Sequence, residues 1–218
     1  MDRAVRALAV FCFCGYHYCV PPQTFRVFVA VQFSDGLRRQ LAEAIARLSR
    51  AVPPRSVQWV KAENIHITLK FLGDTPVNDI AKIGEALTSA VSAAEPFEFA
   101  PNGFGCFPDA RKPRVVWIGV DHEGGQKLKA LASAVEAALA PLGYPPEPRP
   151  FSPHVTLGRI RRETPPRDAS RVGAVIAAQP AAQWPAEKVS AAHLMKSDLR
   201  PGGSVYTSLR LAPLRPHS

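Results

Sequence analysis

One short pattern occurs twice, at matching places in two similar stretches, and it limits the fold more than any other feature of the chain. His66-Ile67-Thr68-Leu69 and His154-Val155-Thr156-Leu157 stand 88 residues apart. Each closes a run of the same order. Phe25 to Phe33 alternates apolar and polar at period 2, which predicts a strand with Phe25, Val27, Val29, Val31 and Phe33 toward the core and Arg26, Phe28, Ala30 and Gln32 away from it. Ser34 then caps a helix striped by Leu37, Leu41, Ile45 and Leu48. After the Pro53-Pro54 break a strand region runs from Val57 to Leu72, and Thr75-Pro76 opens a helix striped by Ile80, Ile83, Leu87 and Val91. Phe97-Glu98-Phe99 starts a further strand.

The second stretch repeats that plan. Pro113–Val120 reads as a strand, Leu128, Leu131, Val135 and Leu139 stripe a helix, and Phe151–Ile160 is again a strand. A short helix near 167–178 and strands over Val189–Ser197 and Val205–Leu211 complete the chain. Strands with intervening helices, ordered twice, predict an α+β protein of two similar lobes.

Composition agrees with a folded domain. Hydrophobic residues are 46% and charged residues 21% of 218, a balance unlike that of disordered chains. No run of 18 apolar residues is present, so a spanning helix and a membrane partner are not expected. Of the four cysteines, three crowd between Cys12 and Cys19, which makes no spaced disulfide framework and points to a reducing, cytoplasmic setting. Cys12, Cys14, His17 and Cys19 are too compressed for the usual zinc-ligand pairs. Residues 1–23 read as an extension or misplaced start, 24–213 as the working domain and 214–218 as a tail. The net charge of +9 comes from 27 basic residues, 19 of them Arg, and five of those fall between Arg159 and Arg171. Arg forks favour phosphate oxygens.

On a strand, residues i and i+2 share a face, so each His points with its Thr while Ile67, Leu69, Val155 and Leu157 enter the core. Two lobes facing each other would place two imidazoles and two hydroxyls around one small target. Phosphodiester cleavage suits that set: one imidazole takes a proton from water, the other gives one to the leaving oxygen, and the hydroxyls donate to the phosphoryl oxygens. By the same parity Lys70 would add a positive charge beside His66 and Thr68.

The chain resembles the 2H phosphoesterase superfamily, in particular the RNA 2′,3′-cyclic phosphodiesterases also called 2′-5′ RNA ligases. The matching text is R-V-F-V-A-V, N-I-H-I-T-L-K-F-L-G-D, F-S-P-H-V-T-L-G-R and a late Tyr206, over about residues 24–213. The resemblance implies a bilobal duplicated α+β fold, with two antiparallel sheets and outer helices flanking a central cleft. It implies a hydrolase without metal or other cofactor that opens a terminal RNA 2′,3′-cyclic phosphate to a 2′-phosphate, with reverse 2′-5′ joining of RNA ends. Carried over by position, His66, Thr68, His154 and Thr156 are the catalytic tetrad, with His154 as base and His66 as acid. Arg159 matches a substrate-holding Arg; its strand parity is wrong for the cleft, so a bulge or a long reach is required. Phe28 matches an aromatic near the base and, on the less apolar face, could stack on it; packing in the core is its other reading. His17, His122, His193 and His217 are expected to take no part, and the protein to act as a monomer. Rival readings are a 2H esterase acting on a cyclic ADP-ribose phosphate or a 2′-5′ oligoadenylate, an RNA-binding module without turnover, and a two-His zinc hydrolase.

Overall fold

A computed structural model describes residues 23–180, 182–201 and 203–215; the cysteine-rich stretch with Cys12, Cys14, His17 and Cys19, and His217 in the tail, lie outside the described residues. The first repeat supplies β1 (Thr24–Gln32), α1 (Asp35–Ala51), β2 (Val57–Trp59), β3 (His66–Pro76), α2 (Ile80–Val91), β4 (Phe97–Phe99) and β5 (Pro101–Phe107). The second supplies β6 (Val115–Val120), α3 (His122–Leu139), β7 (Val155–Ile160), α4 (Pro166–Ala177), β8 (Glu187–Val189), β9 (Ala191–Arg200) and β10 (Gly203–Pro213).

Two four-stranded antiparallel sheets result, ordered β10-β9-β1-β3 and β2-β7-β6-β5, with β4 and β8 paired as a ribbon. The repeats therefore exchange strands. β5, from the first repeat, pairs with β6, while β9, from the second, pairs with β1. Equivalent strands β4 and β8 pair with each other, as expected on an approximate two-fold axis. Helices pack outside: α2 on β9 and β10, α3 on β3, α1 on β2 and α4 on β5. One continuous core joins both lobes, from Val27, Val29 and Val31 on β1 through Leu41 and Leu87 to Leu128, Val155 and Leu157.

Several elements differ from the sequence reading. Val57–Leu72 is two strands, because a 3-10 turn at Ala62–Asn64 separates β2 from β3 and sends them to different sheets. Thr75-Pro76 does not open a helix. β3 runs through both residues, Thr75 is fully buried, and its hydroxyl donates to the Gly73 carbonyl at 3.3 Å. A 3-10 turn at Val77–Asp79 intervenes before α2, whose stripe of Ile83, Leu87 and Val91 is buried as expected. Strand β5, with its glycines, escaped the pattern reading, and His122 begins α3 instead of lying in a loop.

Ser34 does cap α1: its Oγ accepts from the Leu37 N–H at 3.3 Å. The buried carboxylate of Glu187 on β8 accepts from the Ser34 N–H at 2.6 Å and from its hydroxyl at 2.7 Å. A negative charge there complements the positive end of the helix and ties the β4–β8 ribbon to the first lobe.

The facing surfaces of the sheets are built differently. Trp117 on β6 lies opposite Gly105 on β5, and a Cβ at Gly105 would run into the indole ring. The ring in turn packs on Phe107, centroids 5.0 Å apart, beside His154. Gly105→Ala should displace Trp117 and destabilise the protein by about 1–3 kcal/mol; chemical denaturation followed by tryptophan fluorescence measures both effects.

Candidate active site

Both imidazoles are fixed by the same device. The carbonyl two residues upstream can only accept a hydrogen bond, so Nδ1 of each ring carries hydrogen: His66 Nδ1 donates to the Asn64 carbonyl and His154 Nδ1 to the Ser152 carbonyl, each at 2.7 Å. The second nitrogen, Nε2, is left for proton exchange. In His66 it meets Thr68 Oγ1 at 3.0 Å. Thr156 lies in register with Trp117 on β6, as Thr68 does with Ala30 on β1. The four residues of the two His-x-Thr pairs thus stand at equivalent places on β3 and at the start of β7.

Immediately after each motif the strand bulges. Val29 pairs with Lys70 and Ala30 with Thr68, skipping Leu69; Val116 pairs with Gly158 and Trp117 with Thr156, skipping Leu157. A bulge puts two successive residues on one side and reverses the alternation beyond it. This supplies the displacement that Arg159 requires: it is exposed, opposite Val115 on β6 and Gln58 on β2, and its charge reaches His154.

The same bulge overturns the placement of Lys70. Its side chain turns away from the cleft and is 2% exposed; Nζ donates to the Pro145 carbonyl at 2.7 Å and lies 3.6 Å from Glu136 on α3. Gly158 holds the equivalent place in the other lobe, where a Cβ would press on Val57 and Trp59. Phe28 is also corrected. It does face away from the core, yet only 4% of it is exposed, because it packs with Ala30, Met195 and Tyr206 on that face. Tyr206 meets the Phe28 ring edge-on at 5.0 Å and the His66 ring at 5.3 Å, and Ser204's carbonyl accepts from the Asn64 amide at 2.7 Å. Phe28 is 5.0 Å from His66 and supports that ring from behind. The aromatic open to solvent is Phe71, which is 58% exposed, directly opposite Phe28 and 6.2 Å from it. Phe71 is the repeat equivalent of Arg159. The 88-residue offset could have found it, had the alternation not been carried through Leu69.

His193 also lies on the cleft side, opposite Ala30, with Nδ1 3.1 Å from the Ser208 hydroxyl. Arg161, Arg162, Arg167 and Arg171 are exposed beyond β7 and on α4. Among the described residues, no group of three His, Cys, Asp or Glu side chains converges to hold a metal ion, and no helix is long and apolar enough to cross a membrane.

Burial governs the protonation of the pair. It pulls His66 down to about 4; the Asn64 carbonyl opposes this, and the charges of Arg38 and His154 add to it. His154, closer to solvent, is also lowered by burial, against the Ser152 carbonyl, with Arg159 contributing. Both imidazoles are therefore neutral at neutral pH. A histidine whose folded pKa lies below its unfolded value favours the folded state fully above the unfolded pKa near 6.5, and that contribution fades as pH falls toward the folded value. Stability should accordingly drop between pH 6.5 and about 4, and His66→Gln should flatten the drop. Urea midpoints of both proteins across this range measure it.

The chain matches the family model described as "LigT like Phosphoesterase" over residues 31–117 and again over 118–206, a division that parallels the two repeats. Two proteins named RNA 2′,3′-cyclic phosphodiesterase are similar along almost their whole length. The one from Methanothermobacter thermautotrophicus is 32% identical over 85% of this chain and 97% of its own, and that from Archaeoglobus fulgidus 34% identical over 85% and 98%. Among solved structures, one from Thermus thermophilus superposes with a TM-score of 0.72 at 27% identity, covering 88% of this chain and all of that one. E. coli LigT complexed with 3′-AMP gives 0.66 at 26% identity, covering 88% and 98%. The chain is a member of the LigT-like branch of the 2H phosphoesterases.

Proposed function

We propose that this protein hydrolyses the 2′,3′-cyclic phosphate at an RNA end to a 2′-phosphate by two-histidine acid–base catalysis, and joins RNA ends by the reverse reaction. The observation that carries the reading is the matched tautomer lock: two backbone carbonyls hold the Nδ1–H of both imidazoles and leave each Nε2 without the ring's hydrogen, able to exchange a proton. The names of the full-length relatives support the substrate. Residues 24–213 hold the activity, and the protein acts as a monomer in a reducing cytoplasm. Cys106, the free cysteine among the described residues, is buried with its thiol pushed up to about 11, which keeps it unreactive.

In the forward reaction His154 takes a proton from water as the water oxygen attacks phosphorus. The bond from phosphorus to the 3′ oxygen breaks, and His66 delivers a proton to that oxygen. Thr68 and Thr156 donate to the non-bridging oxygens, where charge accumulates, and Arg159 holds the phosphate. With His66 as acid, the ring must take a proton from solvent as substrate binds, because burial alone keeps it neutral, and the substrate anion must raise its proton affinity. A phosphate charge beside a desolvated imidazole acts in that direction. Phe71, in place of the covered Phe28, offers its face to the terminal base.

The test is a short RNA ending in 2′,3′-cyclic phosphate, incubated with the purified protein in EDTA. A 2′-phosphate product is expected, and His66→Ala or His154→Ala should each cost about two to four powers of ten in rate. A 3′-phosphate product or loss of activity in EDTA would contradict the reading. Binding without turnover would make the protein an RNA-binding module. Phe71→Ala should raise KM several-fold with kcat nearly unchanged, as expected for uniform binding; an unchanged KM would leave the base without this platform.

A further inference from the structure

Next to His66, on the cleft face of the first sheet, lies a cavity of about 210 Å³, with room for several waters and hence for a phosphate group. The related place in the second lobe is filled, because the Trp117 ring lies over Gly105. In the first lobe the paired residues there are Ala30 and His193. Ala30 is small, and the space stays open.

Among the described residues, Arg38 is the one Lys or Arg side chain that lines this cavity. Arg38, from α1, donates through Nη2 to Gln32 Oε1 at 3.0 Å, but its Nε is buried with no partner. Its guanidinium lies 3.7 Å from the Asp35 carboxylate, on a side chain open to water. Gln32 spends an amide N–H on the sulfur of Met195 at 3.1 Å, a weak acceptor. Ser208, which also lines the cavity, is 3.1 Å from His193. Glu63 is the single carboxylate in the lining. The Arg38 side chain is 22% exposed and lines the cavity, so it offers a cation there, and an anion is the ligand that complements it. In agreement, burial lowers both His66 and His193, and the charge of Arg38 adds to it in each.

We propose that this cavity is an anion subsite for the phosphate on the 5′ carbon of the terminal nucleotide, the group that joins it to the rest of the RNA. The inference rests on reading the cleft as the site of a terminal cyclic phosphate. One ribose carries both groups, the cyclic phosphate across its 2′ and 3′ oxygens and the phosphodiester on its 5′ carbon. With the first held by the tetrad, the second falls within reach of a pocket that shares His66 as a wall. The subsite makes the enzyme favour RNA ends over nucleosides that carry only the cyclic phosphate.

The experiment compares adenosine 2′,3′-cyclic phosphate with the same compound bearing a 5′-phosphate. The wild-type protein should show a kcat/KM at least about tenfold higher for the second, the scale of a charge-assisted hydrogen bond. Arg38→Met should bring that ratio near one, and Arg38→Lys should restore part of it. Equal kcat/KM in the wild type would overturn the proposal. So would an equal fall on both substrates in Arg38→Met, since the guanidinium would then act only on His66. Calorimetric binding of AMP decides the subsite independently of turnover: wild-type binding that Arg38→Met abolishes supports it, and binding unaffected by the change overturns it. If neither cyclic substrate is hydrolysed while AMP binding still depends on Arg38, the cyclic phosphodiesterase reading fails and the anion subsite stands. Competition by inorganic phosphate as strong as by AMP would show a general phosphate site, and not one built for a nucleotide.

Discussion

The exchange of strands between the repeats is the constraint on which everything else depends. Because β5 completes the sheet begun by β6, and β9 the sheet begun by β1, neither repeat can form its lobe alone. The lobes share one core, so their relative position is set by close-packed side chains and not by a linker. Interiors of that kind resist compression and transmit strain. Two imidazoles on different strands can thus be held against a single phosphate, near enough that the charge of His154 is felt at His66.

The duplication and its chemistry were legible because both rest on local pattern. Period-2 alternation marked β1, the stripes marked α1, α2 and α3, and the repeated His-x-Thr-Leu marked the place of the site. What escaped depends on pairing between distant strands. The bulge at Leu69 comes from the register between β1 and β3, and without it Lys70 reads as a cleft residue and Phe71 as a core one. In the second lobe the need for a bulge was readable, since Arg159 would otherwise point the wrong way. The same argument was available for the first lobe through the repeat offset. Burial of Phe28 could not be read locally, because the cover is Tyr206, which comes from a strand far along the chain. Ala30 and His193 carried no signal for the same reason. Their meaning emerges only when they are set against Trp117 and Gly105, their counterparts in the other lobe.

The symmetry of the frame is broken where the chemistry needs a difference. His66 sits between Phe28 and Tyr206, deeply desolvated, while His154 has Phe107 edge-on at 4.9 Å and a more open outer side. The two post-bulge positions carry a ring in one lobe and a guanidinium in the other, the groups that suit a base and a phosphate respectively. A duplicated scaffold with unlike walls can bind an asymmetric substrate in one direction, which a two-histidine mechanism requires if its proton donor and acceptor are to keep their roles.

That division of roles is the centre of the account. The most direct measurement uses an RNA end whose cyclic phosphate has sulfur in place of the bridging 3′ oxygen, a leaving group that departs without a proton. The account expects this substrate to restore the rate of His66→Ala toward that of the wild type and to leave His154→Ala slow. Rescue of His154→Ala instead would assign the acid to the more exposed histidine, as burial alone would have it, and wild-type activity of either single variant on the oxygen substrate would contradict the two-histidine mechanism.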